Sequence, residues 1–341
     1  SSESGRAVVD LSMLEKEGLP DFIYEENKAI SQQHYDFRDH KEGYSWASYL
    51  AKKMHLYAET DIEQNEMLIH RYDEKIYKDF LRDFCVEHMT LILVNPEEKT
   101  TQKEVYYGTE FDLKKFTHKI SLSKKSLMHL PLKNSFVAFS LPSHPSESVT
   151  PFKYQENEKG TLWFCHDQTF ELPKTFIKIA LKTNKPTFSS ENKAISLLYL
   201  SVIKELTNDN SYYADLAGIH FDMSFDEEGL ILEFEGFSEK MKTLVDDVLS
   251  ALIDCDIDQN IYTDLKKDII KRCHNYYLSE SYNQVLYELR HFIVKDHAHT
   301  REIYNPIDGI DLLSGVPLDR LKSFSQTLFE GIKVEAFVYG N

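Results

Sequence analysis

The sequence predicts an α+β fold, with helices covering one face of a mostly antiparallel sheet. Three observations carry that prediction. Two short runs, 219–225 and 230–235, alternate apolar and polar residues with the period of two that a half-buried strand requires. Longer runs between 191 and 328 space their apolar residues at i, i+3 and i+4, as an amphipathic helix does. The two alternating runs follow each other with no helix between them, which favours a hairpin over a parallel crossover.

In the second half of the chain the elements come in the order β-α-β-β-α-α-α-α-β. FIKIALK (176–182) turns Ile177, Ile179 and Leu181 to one side. ENKAISLLYLSVIKEL (191–206) is apolar around most of its circumference and predicts a buried helix. FDMSFDEEGLILE (221–233) poses a sharper choice. Asp222, Ser224, Asp226 and Glu233 approach the ligand spacing of a calcium loop, but such a loop needs glycine at its sixth position and helices on both sides. The sixth position is Glu227, and both flanks alternate. Ile219, Phe221, Met223 and Phe225 oppose His220, Asp222 and Ser224; Leu230, Leu232 and Phe234 oppose Glu233 and Glu235. The stretch is a hairpin turning at DEEG (226–229), with Gly229 free to adopt positive φ.

Met241, Leu244, Val245, Val248, Leu249, Leu252 and Ile253 then keep helical spacing without exception. Two more helices are expected around Tyr262–Cys273 and Tyr282–Val294. Pro317 opens a further one whose inner face is Leu318, Leu321, Phe324 and Leu328. IKVEAFVY closes the domain as a strand, with Ile332, Val334, Ala336 and Val338 on one side.

Composition narrows the classes of function. Of 341 residues, 42% are hydrophobic, enough for packed cores, and the formal charge is −17. A surface that acidic repels phosphate backbones and anionic membranes, so neither nucleic acid nor a membrane is expected as a partner. No apolar run reaches membrane-spanning length, and SSESGRAVVD lacks the blocks of a signal peptide. Cys85, Cys165, Cys255 and Cys273 are scattered without a CxxC pair. They fit reduced thiols and a cytoplasmic setting, with two distant disulfides, and an organellar or periplasmic setting, as the alternatives.

The first hundred residues repeat the rear of the second half at an offset of about 240 residues. DFIYEENKAISQQHYDF (21–37) parallels NIYTDLKKDIIKRCHNYY (260–277). YSWASYLAKKM (44–54) parallels YNQVLYELRHFI (282–293). YDEKIYKDFLRDFCVEHMTLILVNP (72–96) parallels PLDRLKSFSQTLFEGIKVEAFVYGN (317–341), a helix and then a final strand. Nothing at the start corresponds to strands 176–182, 219–225 and 230–235. The first copy is therefore expected to be incomplete and the chain to be a piece of a longer protein. The expected domains are 7–123, an extended linker over 124–160, and a complete copy over 161–341.

Several blocks in this arrangement resemble the insulinase/pitrilysin family of zinc metallopeptidases. They are EGLPDFIYEE (17–26), YYGTEFD (106–112), LPLKNSFV (130–137), LWFCHDQTFELPK (162–174), YYADLAGIHFDM (212–223) and VYGN (338–341). Val137-Ala138 departs from the family's habit after KN-x-F, where Ile-Pro is usual. The resemblance implies four homologous α+β domains closing as two bowls around a chamber that admits whole peptides. On that footing 7–123 is the rear of the second domain, 124–160 the strap between the halves, and 161–341 a non-catalytic third domain. The partners implied are peptide substrates, a catalytic first domain and a fourth domain, and a piece with open edges is expected to self-associate. An inactive scaffold or peptide-binding subunit on the same fold, as in the non-catalytic partners of processing peptidases, is the alternative. A self-sufficient binding module is a third reading.

The family's zinc site is H-x-x-E-H on a helix, where one turn brings both histidines to one face and the glutamate activates the metal-bound water. FCVEH (84–88) comes nearest, with Phe84 in place of the first histidine. The zinc ligands are thus expected outside this chain, which holds no expected catalytic or metal residue. His297 and His299, His34 and His40, and the pair Asp246 and Asp247 all fit solvated surface positions better than ligands or acid/base groups. Tyr106, Tyr107, Gly108 and Thr109 remain as candidates to line a peptide chamber, with a packed loop corner as the other reading.

Overall fold

A computed structural model describes residues 14, 17–38, 42–64, 66–84, 88, 90–97, 99–115, 130–141, 150–183, 189–225, 229–276, 278–286, 289 and 306–341. The chain divides into two compact units: Ser1–Tyr35 with Lys41–Lys133, and Asp36–His40 with Asn134–Asn341.

The first unit contains helix α1 (Asp21–Asp36, which runs on into the second), α2 (Gly43–Lys53) and α3 (Glu74–Asp83), then a small hairpin of β1 (Gln102–Lys103) and β2 (Glu110–Phe111). Asp73 caps α3, its carboxylate accepting the amides of Lys75 and Ile76 at 3.0 and 3.1 Å. Tyr72 bridges the rings of Tyr24 and Tyr77, with centroids 5.7 and 5.9 Å away. The strand expected after α3 is not formed: Thr90–Asn95 lie outside any ladder and are exposed.

The second unit is an α+β domain around a six-stranded mixed sheet. Its strands are β3 (Phe152–Asn157), β4 (Gly160–His166), β5 (Lys174–Lys182), β6 (Ile219–Phe225), β7 (Gly229–Phe237) and β8 (Lys333–Gly340), in the spatial order β3-β4-β8-β5-β7-β6. Every neighbouring pair is antiparallel except β4 with β8. The helices are α4 (Ser190–Leu206), α5 (Asn208–Leu216), α6 (Met241–Asp254), α7 (Gln259–Tyr276), α8 (Pro306–Gly315) and α9 (Leu318–Leu328), and 281–286 are helical as well.

Alternation along the strands becomes rows across the sheet. Phe221, Phe234, Ile177, Val338, Phe164 and Phe152 are register partners in succession, an apolar row through all six strands. One residue along, Asp222, Glu233, Lys178, Phe337, Trp163 and Lys153 form the row on the opposite face. Leu230, Leu232 and Phe234 are fully buried on the apolar side, where α4 and α6 pack against β6 and β7. Two buried tyrosines tie the helices together: Tyr199 donates to the Leu252 carbonyl at 2.9 Å and Tyr262 to that of Val316 at 2.8 Å. Burial raises both phenol pKa values, that of Tyr262 to about 12.

Several details differ from the sequence reading. Two strands, β3 and β4, precede the expected first strand, and β3 falls inside the segment read as linker. Helix α5 and helix α8 are additional. On α6, Met241, Leu244, Val248 and Leu252 are buried, but Ile253 is exposed despite its spacing. The expected hairpin is present as β6 and β7, and Gly229 has φ +148°. A Cβ on Gly229 would lie 2.1 Å from the Leu181 carbonyl oxygen of β5. Gly229→Ala is therefore expected to lower stability by about 1–3 kcal/mol through backbone strain and that clash, measured by urea denaturation.

Candidate functional site

The sequence-derived candidates Tyr106, Tyr107, Gly108 and Thr109 form the tip of the β1–β2 hairpin. Glu104 organises it. Its carboxylate accepts the amides of Tyr106 and Tyr107 at 2.6 and 2.7 Å, while its own amide donates to the Thr109 carbonyl at 2.9 Å. Those amide bonds hold the Glu104 carboxyl below the usual range. At the base, Asp112 accepts the Thr101 hydroxyl at 2.6 Å and the Thr101 amide at 2.9 Å, which lowers its pKa too. Gly108 supplies the left-handed residue of the turn with φ +67°. The corner is thus built by backbone and carboxylate, and the rings take no part in packing it. Tyr106 and Tyr107 are 91% and 92% exposed. Such a tip can offer two aromatic faces and hydroxyls to an apolar or polar group.

Among the described residues, no group of three or more His, Cys, Asp or Glu side chains is placed to hold a metal ion. The near-calcium residues are spread along two strands. Asp222 pairs with Lys204 at 3.2 Å and Glu233 with Lys178 at 2.6 Å, while Ser224 is exposed and Asp226 lies outside the described residues. Asp246 is paired with Lys242 one turn earlier on α6. Asp247 accepts from Asn210 at 3.0 Å; burial first, then the Asp246 charge, raises its carboxyl pKa. His34 is exposed near the end of α1. His40, His297 and His299 lie outside the described residues, as do Cys85–Glu87 of FCVEH.

Four of the family-like blocks meet in pairs, 130–137 with 212–223 and 162–174 with 338–341. Asn134, in LPLKNSFV, donates to the Tyr213 carbonyl at 2.7 Å and accepts the Phe136 amide at 2.9 Å. This seats Phe136, Val137 and Ala138 in buried positions. Asp167, in LWFCHDQTFELPK, accepts the Tyr339 hydroxyl of VYGN at 2.7 Å and the amides of Thr169 and Phe170 at 3.0 and 3.3 Å. Burial alone would raise the Asp167 pKa, but these hydrogen bonds outweigh it and the net shift is downward. The Asn341 carbonyl accepts from Ser238 at 2.6 Å and Thr175 at 3.3 Å. Sequence reasoning had singled out none of these anchors, although an Asp or Asn two residues before a bonded amide is a local turn signal.

Residues 35–305 match the family model described as the middle or third domain of peptidase M16, so the chain belongs to the M16 peptidase family. It is 23% identical to insulin-degrading enzyme from Homo sapiens over 97% of its length, covering 33% of that protein. With nardilysin from Homo sapiens it shares 23% identity, again over 97% of this chain and over 29% of the relative. A crystal structure of pitrilysin superposes with a TM-score of 0.75 at 15% identity, over 97% of this chain and 35% of that one. The chain spans about a third of the length of these relatives.

Two measurements check the geometry. Replacing Glu104 with Ala should speed amide exchange at Tyr106 and Tyr107 and leave the melting temperature unchanged, because the rings at the tip are almost fully exposed. Asp167 has a lowered folded pKa, so its stabilisation is present above its unfolded pKa and fades as pH falls through the folded value. Wild-type protein should therefore lose stability below about pH 4, and Asp167→Asn should be weaker at neutral pH with a shallower acid loss.

Proposed function

We propose that this chain is the non-catalytic central portion of a zinc metalloendopeptidase that degrades short peptides in an enclosed chamber. The observation that carries the reading is the match of 35–305 to a middle or third M16 peptidase domain. Its span of about a third of the relatives leaves room for chemistry elsewhere. The described residues do not fit a zinc site, since they bring no three donors together and Phe84 stands where the nearest motif would need histidine. When bound elsewhere in the intact enzyme, zinc would supply an activated water and a Lewis acid.

The chain's own contribution is structural. Residues 161–341 are a third domain whose sheet forms part of the chamber wall, and 7–123 are the rear of the second domain. The strap 124–160 links the halves, with Asn134 fixing one end to the Tyr213 carbonyl. Tyr106 and Tyr107 face the peptide. Buried thiols at Cys165, Cys255 and Cys273 support a reducing, cytoplasmic setting. The test has two parts. The purified chain should neither bind zinc at one per chain nor cleave a quenched fluorescent peptide, and either result would overturn the reading. The coding sequence upstream of Ser1 should encode H-x-x-E-H, and a degenerate motif there would make the protein an inactive scaffold instead.

A further inference from the structure

Residues 134–138 form a small plug in the second unit, and its limits are sharp. Asn134, Phe136, Val137 and Ala138 are buried, whereas Leu132 and Phe139 on either side are 70% and 64% exposed. The plug is shaped locally. The Asn134 side-chain carbonyl accepts the Phe136 amide at 2.9 Å, and its backbone carbonyl accepts the Val137 amide at 3.4 Å. The amide nitrogen of the same side chain donates to the Tyr213 carbonyl of α5 at 2.7 Å. The plug belongs to no ladder, so it can leave its seat without breaking the sheet.

α5 depends on that seat. A helix of nine residues is marginal by itself, and its end groups lack partners within the helix. Thr207 before it provides no side-chain cap, its last turn carries no basic residue, and Ala214 alone is buried. Two exposed clips hold its outer side: Asn210 with Asp247 of α6 at 3.0 Å, and Asp215 with His220 of β6 at 2.7 Å. Clips of this kind contribute little in water. The buried Ser211 hydroxyl makes no hydrogen bond. Tyr213 lies in the last turn, where its carbonyl accepts both the Ala217 amide at 3.3 Å and the Asn134 side chain. Asn134 therefore closes the end of a helix that has few other anchors.

We infer that residues 134–138 are a detachable latch whose seating orders α5. A pull on the strap then loosens the helix that leads into β6, and by linkage a loosened α5 weakens the grip on the strap. The latch goes beyond a linking role and needs only contacts inside the second unit, so it holds for a peptidase and for a scaffold alike.

Amide exchange of the whole chain tests it. Phe136–Ala138 and Ser211–Ala217 should share one opening free energy, smaller than that of 230–234 and 334–339. Asn134→Ala should lower protection of both segments by about tenfold or more and leave the strands unchanged. Asn134→Asp keeps the acceptor for the Phe136 amide but loses the donor to Tyr213, and should loosen α5 as alanine does. A synthetic peptide of residues 130–139, added to the Asn134→Ala chain, should restore protection at Ser211–Ala217. Opening of 136–138 only together with the strands would overturn the proposal, as would loss of protection at 230–234 in Asn134→Ala, because the plug would then be fixed core. An α5 that stays protected when the plug is loosened, or a peptide that restores nothing, would overturn it as well. Zinc content and peptide cleavage do not enter these readouts, so the latch and the peptidase reading fail separately.

Discussion

An inner strand must satisfy hydrogen bonds along both of its edges, and in the second unit that constraint falls on β8. The strand is made from residues near the C-terminal end of the sequence, yet it sits between β4 and β5, made from residues 160–182. The sheet therefore cannot close until residues far apart in sequence have met, a topology with a high cost in loop closure. The ends of β8 are fixed outside the ladder. The Val334 amide donates to the Lys159 carbonyl at 2.9 Å, the Asp167 amide to Gly340 at 3.2 Å, and the Asn341 amide to Lys174 at 3.2 Å. Asp167 and Tyr339 add a side-chain bond across the same junction. The apolar face of the sheet then depends on this register, since a slip of β8 by one residue would turn Ala336 and Val338 outward and Glu335 inward.

The parts of this architecture legible in the sequence are those where one face is apolar and the other polar. β6 alternates, and β7 and β8 do so except at Ile231 and Phe337, because one side meets helices and the other carries ion pairs such as Lys178–Glu233 and Lys182–Glu335. β4 was missed for the converse reason: Leu162, Trp163, Phe164 and Cys165 are all apolar, so no period shows. β3 was missed because an edge strand with exposed residues on both faces, FKYQEN, reads as a polar linker. Helix α5 has a polar sequence, NDNSYYADL, and begins directly after Thr207, whose hydroxyl bonds back to the Ile203 carbonyl at 2.8 Å. Its position depends on neighbours, of which the segment around Asn134 is one. The parallel pairing of β4 with β8 depends on tertiary context and left no local mark.

Thr90–Asn95 shows the limit from the other side. Its composition is strand-like, and a strand was expected, but pattern only makes a segment suitable for a sheet. Neighbours supply the hydrogen bonds and cover the faces. The same distinction runs through the candidate site. The spacing of Asp222, Ser224, Asp226 and Glu233 imitated a ligand set, and alternation in the flanking residues decided the matter, because residues on two paired strands cannot wrap a cation as a helix-flanked loop does. The Tyr106–Thr109 turn was legible as a glycine corner beside two aromatics. That Glu104 fixes it was not, since a carboxylate closing over amides two and three residues ahead is a matter of backbone geometry.

Family membership and catalytic competence consequently rest on different residues. The blocks that resemble the family were quoted as sequence, and in space they serve to anchor backbone: Asn134 to Tyr213, Asp167 to Tyr339, Lys174 to the Phe37 carbonyl at 3.4 Å. Such contacts define how the domain is folded and carry no proton or nucleophile. A peptidase and a scaffold that had lost its metal would need them equally, because the energy of an unpaired buried carbonyl or carboxylate is the same in both. The match over 35–305 is therefore strong for architecture and says little by itself about turnover. What would separate the two is a helix bearing two histidines and a glutamate on one face; in this chain Phe84 stands where the nearest such motif would need histidine, and carboxylates of the sheet such as Glu233 and Asp222 are paired with lysines.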